Sequence, residues 1–147
     1  MSELLVTVTI AGRRCGFHAK DVQSVIELEE ITPVPGVADF VIGLTALRSR
    51  ALTVIDCRKS IGIESDDELQ SDARAPVVQH AEHGYALLVD KVEDVTEAVS
   101  EIDTVLGGFG EEWTAAAEGI VETADGPVLM LDIGALIAGS IKPAAAA

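Results

Sequence analysis

Aromatic side chains are scarce: one Trp, one Tyr and three Phe among 147 residues. Any core must therefore be aliphatic, and hydrophobic residues supply 48% of the chain. That content excludes a disordered acidic tail. Cysteine is scarcer still. Cys15 and Cys57 stand alone, which excludes a disulfide framework and points to reduced, cytosolic thiols serving as small core residues. No run of about 18 apolar residues exists, so no direct membrane insertion by a helix is expected. The start, Met1-Ser2-Glu3-Leu4-Leu5, lacks the basic residues and the apolar stretch of a signal peptide. Positive charge is also short. Ten Lys and Arg face 25 Asp and Glu, a net charge of −15. Such a chain repels phosphate backbones, so no nucleic acid is expected as a partner.

What is present is a series of short, β-branched strands. Leu4 to Ile10 alternates Val6, Val8 and Ile10 with Thr7 and Thr9, the period of a half-buried strand. Ala11-Gly12-Arg13-Arg14 reads as a turn into a second strand, Cys15 to His18. Asp21 is placed to cap one helical turn with Val22, Val25 and Ile26 on one side. Pro33-Val34-Pro35-Gly36 interrupts regular structure. Leu52 to Ile55 is a buried strand, followed by Asp56 as cap of a short helix that Gly62 stops. Residues 64–74 form an acidic loop. Val77-Val78 and Tyr85 to Val89 read as a hairpin around His83-Gly84. Ile120-Val121 and Val128 to Leu131 flank the turn Ala124-Asp125-Gly126-Pro127, and Asp132 caps a last helix through Leu136 and Ile137. Turn signals every ten residues or so indicate small β-barrels or a sandwich, not βαβ units.

The chain also echoes itself. Gly43 to Asp56 and Gly119 to Asp132 both run glycine, strand, turn, apolar strand, aspartate, 76 residues apart. Val22-Gln23-Ser24-Val25 and Val92-Glu93-Asp94-Val95 repeat at an offset of 70. Two echoes in one order indicate a duplicated unit of about 70 residues, each the size of a small barrel of about five strands. The expected layout is a single domain, 1–147. It holds approximate subdomains 10–75 and 76–138, between which strands could be shared, and a flexible tail, 139–147. If strands are shared, isolated halves should fold poorly.

Catalytic signatures do not appear. His80 and His83 flank a turn with no further ligand to complete a zinc set. His18 has no serine or cysteine motif beside it. Gly107-Gly108-Phe109-Gly110 lacks the Lys and Ser/Thr of a phosphate loop. Trp113 reads as a hydrophobic anchor. The enzyme reading has no positioned nucleophile or base, and no cofactor is expected.

Charge is more informative. Residues 41–63 hold Arg48, Arg50, Arg58 and Lys59 against Asp56 alone, whereas residues 64–147 hold 18 acids and three bases. A positive island in an acidic chain suits a negative partner. Arg48 and Arg50 sit at a strand-to-strand turn and are the stronger contact candidates. Arg58 and Lys59 fit either a contact or the exposed side of a short helix. Arg48, Arg50 and Arg58 could also clamp a small anionic ligand.

The run Gly43-Leu44-Thr45-Ala46-Leu47-Arg48-Ser49-Arg50-Ala51-Leu52-Thr53-Val54-Ile55-Asp56-Cys57-Arg58 resembles the signature of CheW-like domains. There a G-h-x-N-L-R-G turn precedes an apolar strand and D-L-R. Phe17, Val22 to Val25, Pro33 to Gly36, Val89 to Val95, Trp113 to Ile120 and Leu129 to Asp132 fit the same family in order, from about Leu4 to Ala138. The resemblance implies an all-β fold with short helices, two SH3-like five-stranded β-barrels, and no catalytic site. It implies a chemotaxis adaptor joining the cytoplasmic tips of methyl-accepting chemoreceptors to the regulatory domain of a histidine kinase. Its place would be cytoplasmic, at membrane receptor arrays. Receptor contacts would fall at Val22, Gly43, Leu47, Arg48 and Ser49, with Arg50 and Arg58 as additional contacts, and kinase contacts on barrel-end surfaces. Departures are Ser24, Ala46, Ser49, Thr53 and Cys57. They leave room for a divergent adaptor of a non-motility pathway. If the family glycine at position 49 has φ > 0, Ser49 must take another turn or carry about 1–2 kcal/mol of strain.

Overall fold

The computed structural model describes residues 3–28, 30–36, 40–62, 74–103 and 111–138. The acidic loop (but for Arg74), Gly107 to Gly110 and the tail 139–147 lie outside them. The strands are β1 (Leu4–Ile10), β2 (Arg13–His18), β3 (Val22–Glu27), β4 (Val41–Leu47), β5 (Arg50–Asp56), β6 (Arg74–His80), β7 (His83–Leu88), β8 (Lys91–Glu97), β9 (Ala117–Thr123) and β10 (Gly126–Leu131). Three short helices are α1 (Cys57–Ile61), α2 (Glu111–Ala116) and α3 (Ile133–Ala138). The all-β architecture with short helices is as expected.

Two five-stranded sheets form, in the orders β8-β1-β2-β10-β9 and β3-β6-β7-β5-β4. The duplication is built into this order. The β1–β2 hairpin corresponds to β6–β7, β3 to β8, and β4–β5 to β9–β10; with that substitution the first order becomes the second. The parallel pairs correspond as well: Leu129 opposite Cys15 in one sheet, Thr53 opposite Tyr85 in the other. Each sheet therefore takes a hairpin from one repeat and three strands from the other. The boundary expected at 75/76 falls inside β6. The strands divide instead into β3 to β7 against β1, β2 and β8 to β10. The cause is pairing: each hairpin fills the gap between two strands that would otherwise expose edges. A fragment of residues 1–75 would hold β3, β4 and β5 without the two strands that lie between them. Its thermal melt should show no cooperative transition.

Local chemistry explains the elements. Asp56 caps α1, its side chain accepting from the N–H groups of Arg58 and Lys59, and Gly62 ends it at φ 97. Asp132 repeats the device by accepting from the Ala135 N–H at 3.3 Å. Asp21 does not start a helix of Val22, Val25 and Ile26. A single 3-10 turn, Ala19–Asp21, leads into β3, with Val22 opposite Val78 and Val25 opposite Pro76. Branched side chains favour the strand once a partner is beside them. The β6–β7 hairpin turns at Ala81-Glu82, just ahead of His83-Gly84. Helix α2 is an addition to the expected elements, held by buried Trp113 and Ala116 and by the Asp132 N–H donating to the Ala116 carbonyl at 2.8 Å.

The main core lies between the sheets. Val8, Ile10, Cys15 and Phe17 of one meet Ile55, Val78 and Leu87 of the other, with Cys57, Ile61, Trp113 and Leu136 from the helices. Smaller clusters fill each sheet's own interior: Leu52, Val54, Val77 and Leu88 in one, Leu5, Val121, Val128 and Met130 in the other. Cys15 and Cys57 are free and buried. Burial pushes the Cys15 thiol up to about 12 and the Cys57 thiol well up too, so both stay protonated and unreactive. Trp113 anchors the core as expected.

Candidate functional site

The positive stretch is organised by the β4–β5 hairpin. Burial alternates along β4: Gly43 and Thr45 point in, Leu44 and Ala46 out. Leu47 is half-buried against the interior cluster of Leu52 and Val54. The strands pair Leu47 with Arg50, which leaves a two-residue turn. Arg48 and Ser49 occupy it at φ 53 and 66, the left-handed pair that matches hairpin twist. Ser49 thus keeps the conformation of a glycine rather than adopting another turn, with its hydroxyl donating to the Arg48 carbonyl. Replacing Ser49 by Gly should raise stability by about 1 kcal/mol, or about 3 °C in Tm. A lower melting temperature for Ser49→Gly would contradict this account of the turn.

Arg48, Ser49 and Arg50 are exposed, with Leu44 partly exposed beside them on β4. Gly43 has a different place. It is buried, and a Cβ there would lie 2.3 Å from the Thr32 carbonyl oxygen. The chain crosses so closely because Thr32 and Leu44 exchange two backbone hydrogen bonds of 2.8 Å. The Thr45 hydroxyl adds a bond to the Glu30 carbonyl. Gly43 therefore shapes the hairpin's base and offers no side chain. Val22, half-buried, opens β3 in the same sheet. The structure thus gathers Gly43, Leu47, Arg48, Ser49 and Arg50 on one hairpin, with Val22 on another strand of that sheet.

Arg58 is placed elsewhere. Its Nε donates to Asp90 Oδ1 at 2.9 Å and its Nη2 to Asp90 Oδ2 at 2.7 Å. Asp90 Oδ2 also accepts the Ala11 N–H at 2.9 Å, and the Asp90 N–H donates to the Thr9 carbonyl. Arg58, expected as an additional contact, has its fork held by a bidentate carboxylate. The three-arginine anion clamp loses a member for the same reason. Lys59, beside it on α1, is exposed.

Two further features escaped the sequence reading. His18 lies between Glu3, at its Nδ1, and Glu118, 2.9 Å from its Nε2. Leu4 and Val95, on the paired strands β1 and β8, are exposed and apolar, as are Val99 and Ile102 in the segment where Ala98 pairs with Thr123 and Asp103 with Ile120. Burial raises the Asp56 carboxyl above its ordinary value, against the backbone bonds of its cap. Among the described residues, no three His, Cys, Asp or Glu side chains come together as a metal would need.

Comparison with known proteins bears on this hairpin and fold together. The family model for the CheW-like domain matches residues 4–140. A chemotaxis protein CheW of Thermotoga maritima is 32% identical over 136 residues, covering 90% of this chain and 86% of that protein. A second, from Bacillus subtilis, is 24% identical over 136 residues, covering 92% and 86%. Among solved structures, the scaffolding protein TtCheW from Thermoanaerobacter tengcongensis superposes with a TM-score of 0.76. It is 27% identical and covers 90% of this chain and 86% of its own.

Proposed function

Since this chain belongs to the CheW-like domain family and is a chemotaxis coupling adaptor, we propose that it joins two specific partners without catalysing a reaction. One is the cytoplasmic tip of a methyl-accepting chemoreceptor. The other is the regulatory domain of a chemotaxis histidine kinase. It works in the cytoplasm, at membrane receptor arrays; no helix among the described residues is long and apolar enough to cross a membrane.

The observation that carries the receptor surface is the β4–β5 hairpin. In a chain of net charge −15, it presents Arg48 and Arg50 to solvent at a turn held in the left-handed region. Strained, exposed turns next to apolar surface suit recognition. Val22, Leu47, Arg48 and Ser49 make the receptor contacts, with Arg50 extending them, and Gly43 sets the hairpin's base. The exposed Leu4, Val95, Val99 and Ile102 set is the barrel-end face offered to the kinase.

Titrating the full chain with a receptor hairpin tip, and separately with the kinase regulatory domain, tests the reading. Saturable binding to both is expected. Absence of binding to either partner contradicts it.

A further inference from the structure

His18 is a pin between two chain segments. It closes β2, with Glu3 just ahead of β1 and Glu118 within β9. Nδ1 faces a Glu3 oxygen and Nε2 faces a Glu118 oxygen. Ionised carboxylates only accept, so both ring nitrogens must donate. Neutral imidazole carries one N–H. It can satisfy one glutamate and must turn a lone pair toward the other.

The two glutamates are not held alike. Glu118 lies within β9 at a bulge, held on both sides because its neighbours Ala117 and Gly119 pair with Leu131 and Met130. Glu3 lies outside β1, and its carbonyl accepts one backbone bond, from the Ala98 N–H at 2.8 Å. Glu3 is therefore the side that gives way. The pin sits in a groove of about 530 Å³ that spans both sheets. The other titratable groups facing it are Lys20 and Asp21 from the 3-10 turn, His80 from β6 and Asp132 ahead of α3.

We infer that His18 is a proton-operated latch, which fastens Glu3 and the start of β1 to β9 when protonated and releases Glu3 when neutral. Burial alone would lower the His18 pKa, but the bonds to Glu118 and Glu3 outweigh it and leave it above its ordinary value of 6.5. A raised histidine pKa means that the stabilisation is complete below 6.5. It is then lost as pH rises through the folded value.

Amide exchange and histidine titration on the full chain test this by NMR. Ala98 protection should fall about tenfold between about pH 6 and about pH 8, after correction for intrinsic exchange. His18→Gln should flatten that profile, whereas His80→Gln should leave it as in wild type. Glu118→Gln, which keeps the fold's shape, should lower the midpoint of the His18 titration. Ala98 protection that ignores pH, or a His18→Gln profile equal to wild type, overturns the latch. So does a His18 midpoint unmoved in Glu118→Gln.

Discussion

Asp90→Ala should destabilise the fold by about 3 kcal/mol, a fall of about 9 °C in Tm. Few single substitutions here should cost more. One carboxylate serves three donors: the Arg58 Nε, the Arg58 Nη2 and the Ala11 N–H. Both partners of the ion pair are largely shielded, at 15% and 16% side-chain exposure. Removing Asp90 strips the shielded Arg58 guanidinium of its bidentate carboxylate, and breaking a buried pair from one side is costly. The effect reaches both sheets, because Arg58 belongs to α1, which follows β5, while Ala11 tips the β1–β2 hairpin of the other sheet. A double-mutant cycle separates this from simple loss of packing. Arg58→Met should cost about 2 kcal/mol less in the Asp90→Ala background than alone. Additive costs would show that the two residues act independently.

Arg48→Glu should weaken receptor-tip binding at least about a hundredfold, roughly 3 kcal/mol, with Tm unchanged. Arg48 is exposed at the turn, so its loss leaves no buried group unsatisfied. The reversal places a negative charge at the exposed turn of the β4–β5 hairpin, the surface proposed for the receptor. Lys59→Glu is the control. It makes the same charge change on α1, away from the hairpin, and should alter affinity little. Equal losses in the two variants would point to overall charge as the cause. Unchanged affinity in Arg48→Glu would remove the β4–β5 turn from the receptor surface.

Much of the fold was legible because it is written in local rules. Alternating β-branched residues marked β1. Asp56 and Gly62 marked the two ends of α1. The glycine-to-aspartate echo marked the repeat that the two sheets reproduce. Strand sharing was open from the sequence, but which hairpins exchange was not legible, since moving β1–β2 from one sheet to the other alters no local pattern. The choice of strand for Val22 to Ile26 depended on β6, about fifty residues away in the chain. The hairpin carrying Arg48 was visible through charge and family pattern, and its left-handed turn was anticipated for Ser49 as a conditional. The ion pair of Arg58 was not legible for a plain reason. Its partner Asp90 is 32 residues distant, with no spacing rule to connect them. His18 was passed over likewise, because its two carboxylates lie 15 and 100 residues away.

On the proposed function, one small acidic chain holds two partners at once on separate surfaces. The direct measurement is a sandwich titration. The kinase regulatory domain is immobilised and saturated with this chain, and receptor hairpin tip is then added. Receptor tip should bind the preformed pair with the affinity it has for the free chain, and Arg48→Glu should remove that second step while leaving the first. Displacement of the chain from the kinase domain by receptor tip, or failure of the tip to bind the preformed pair, would contradict it.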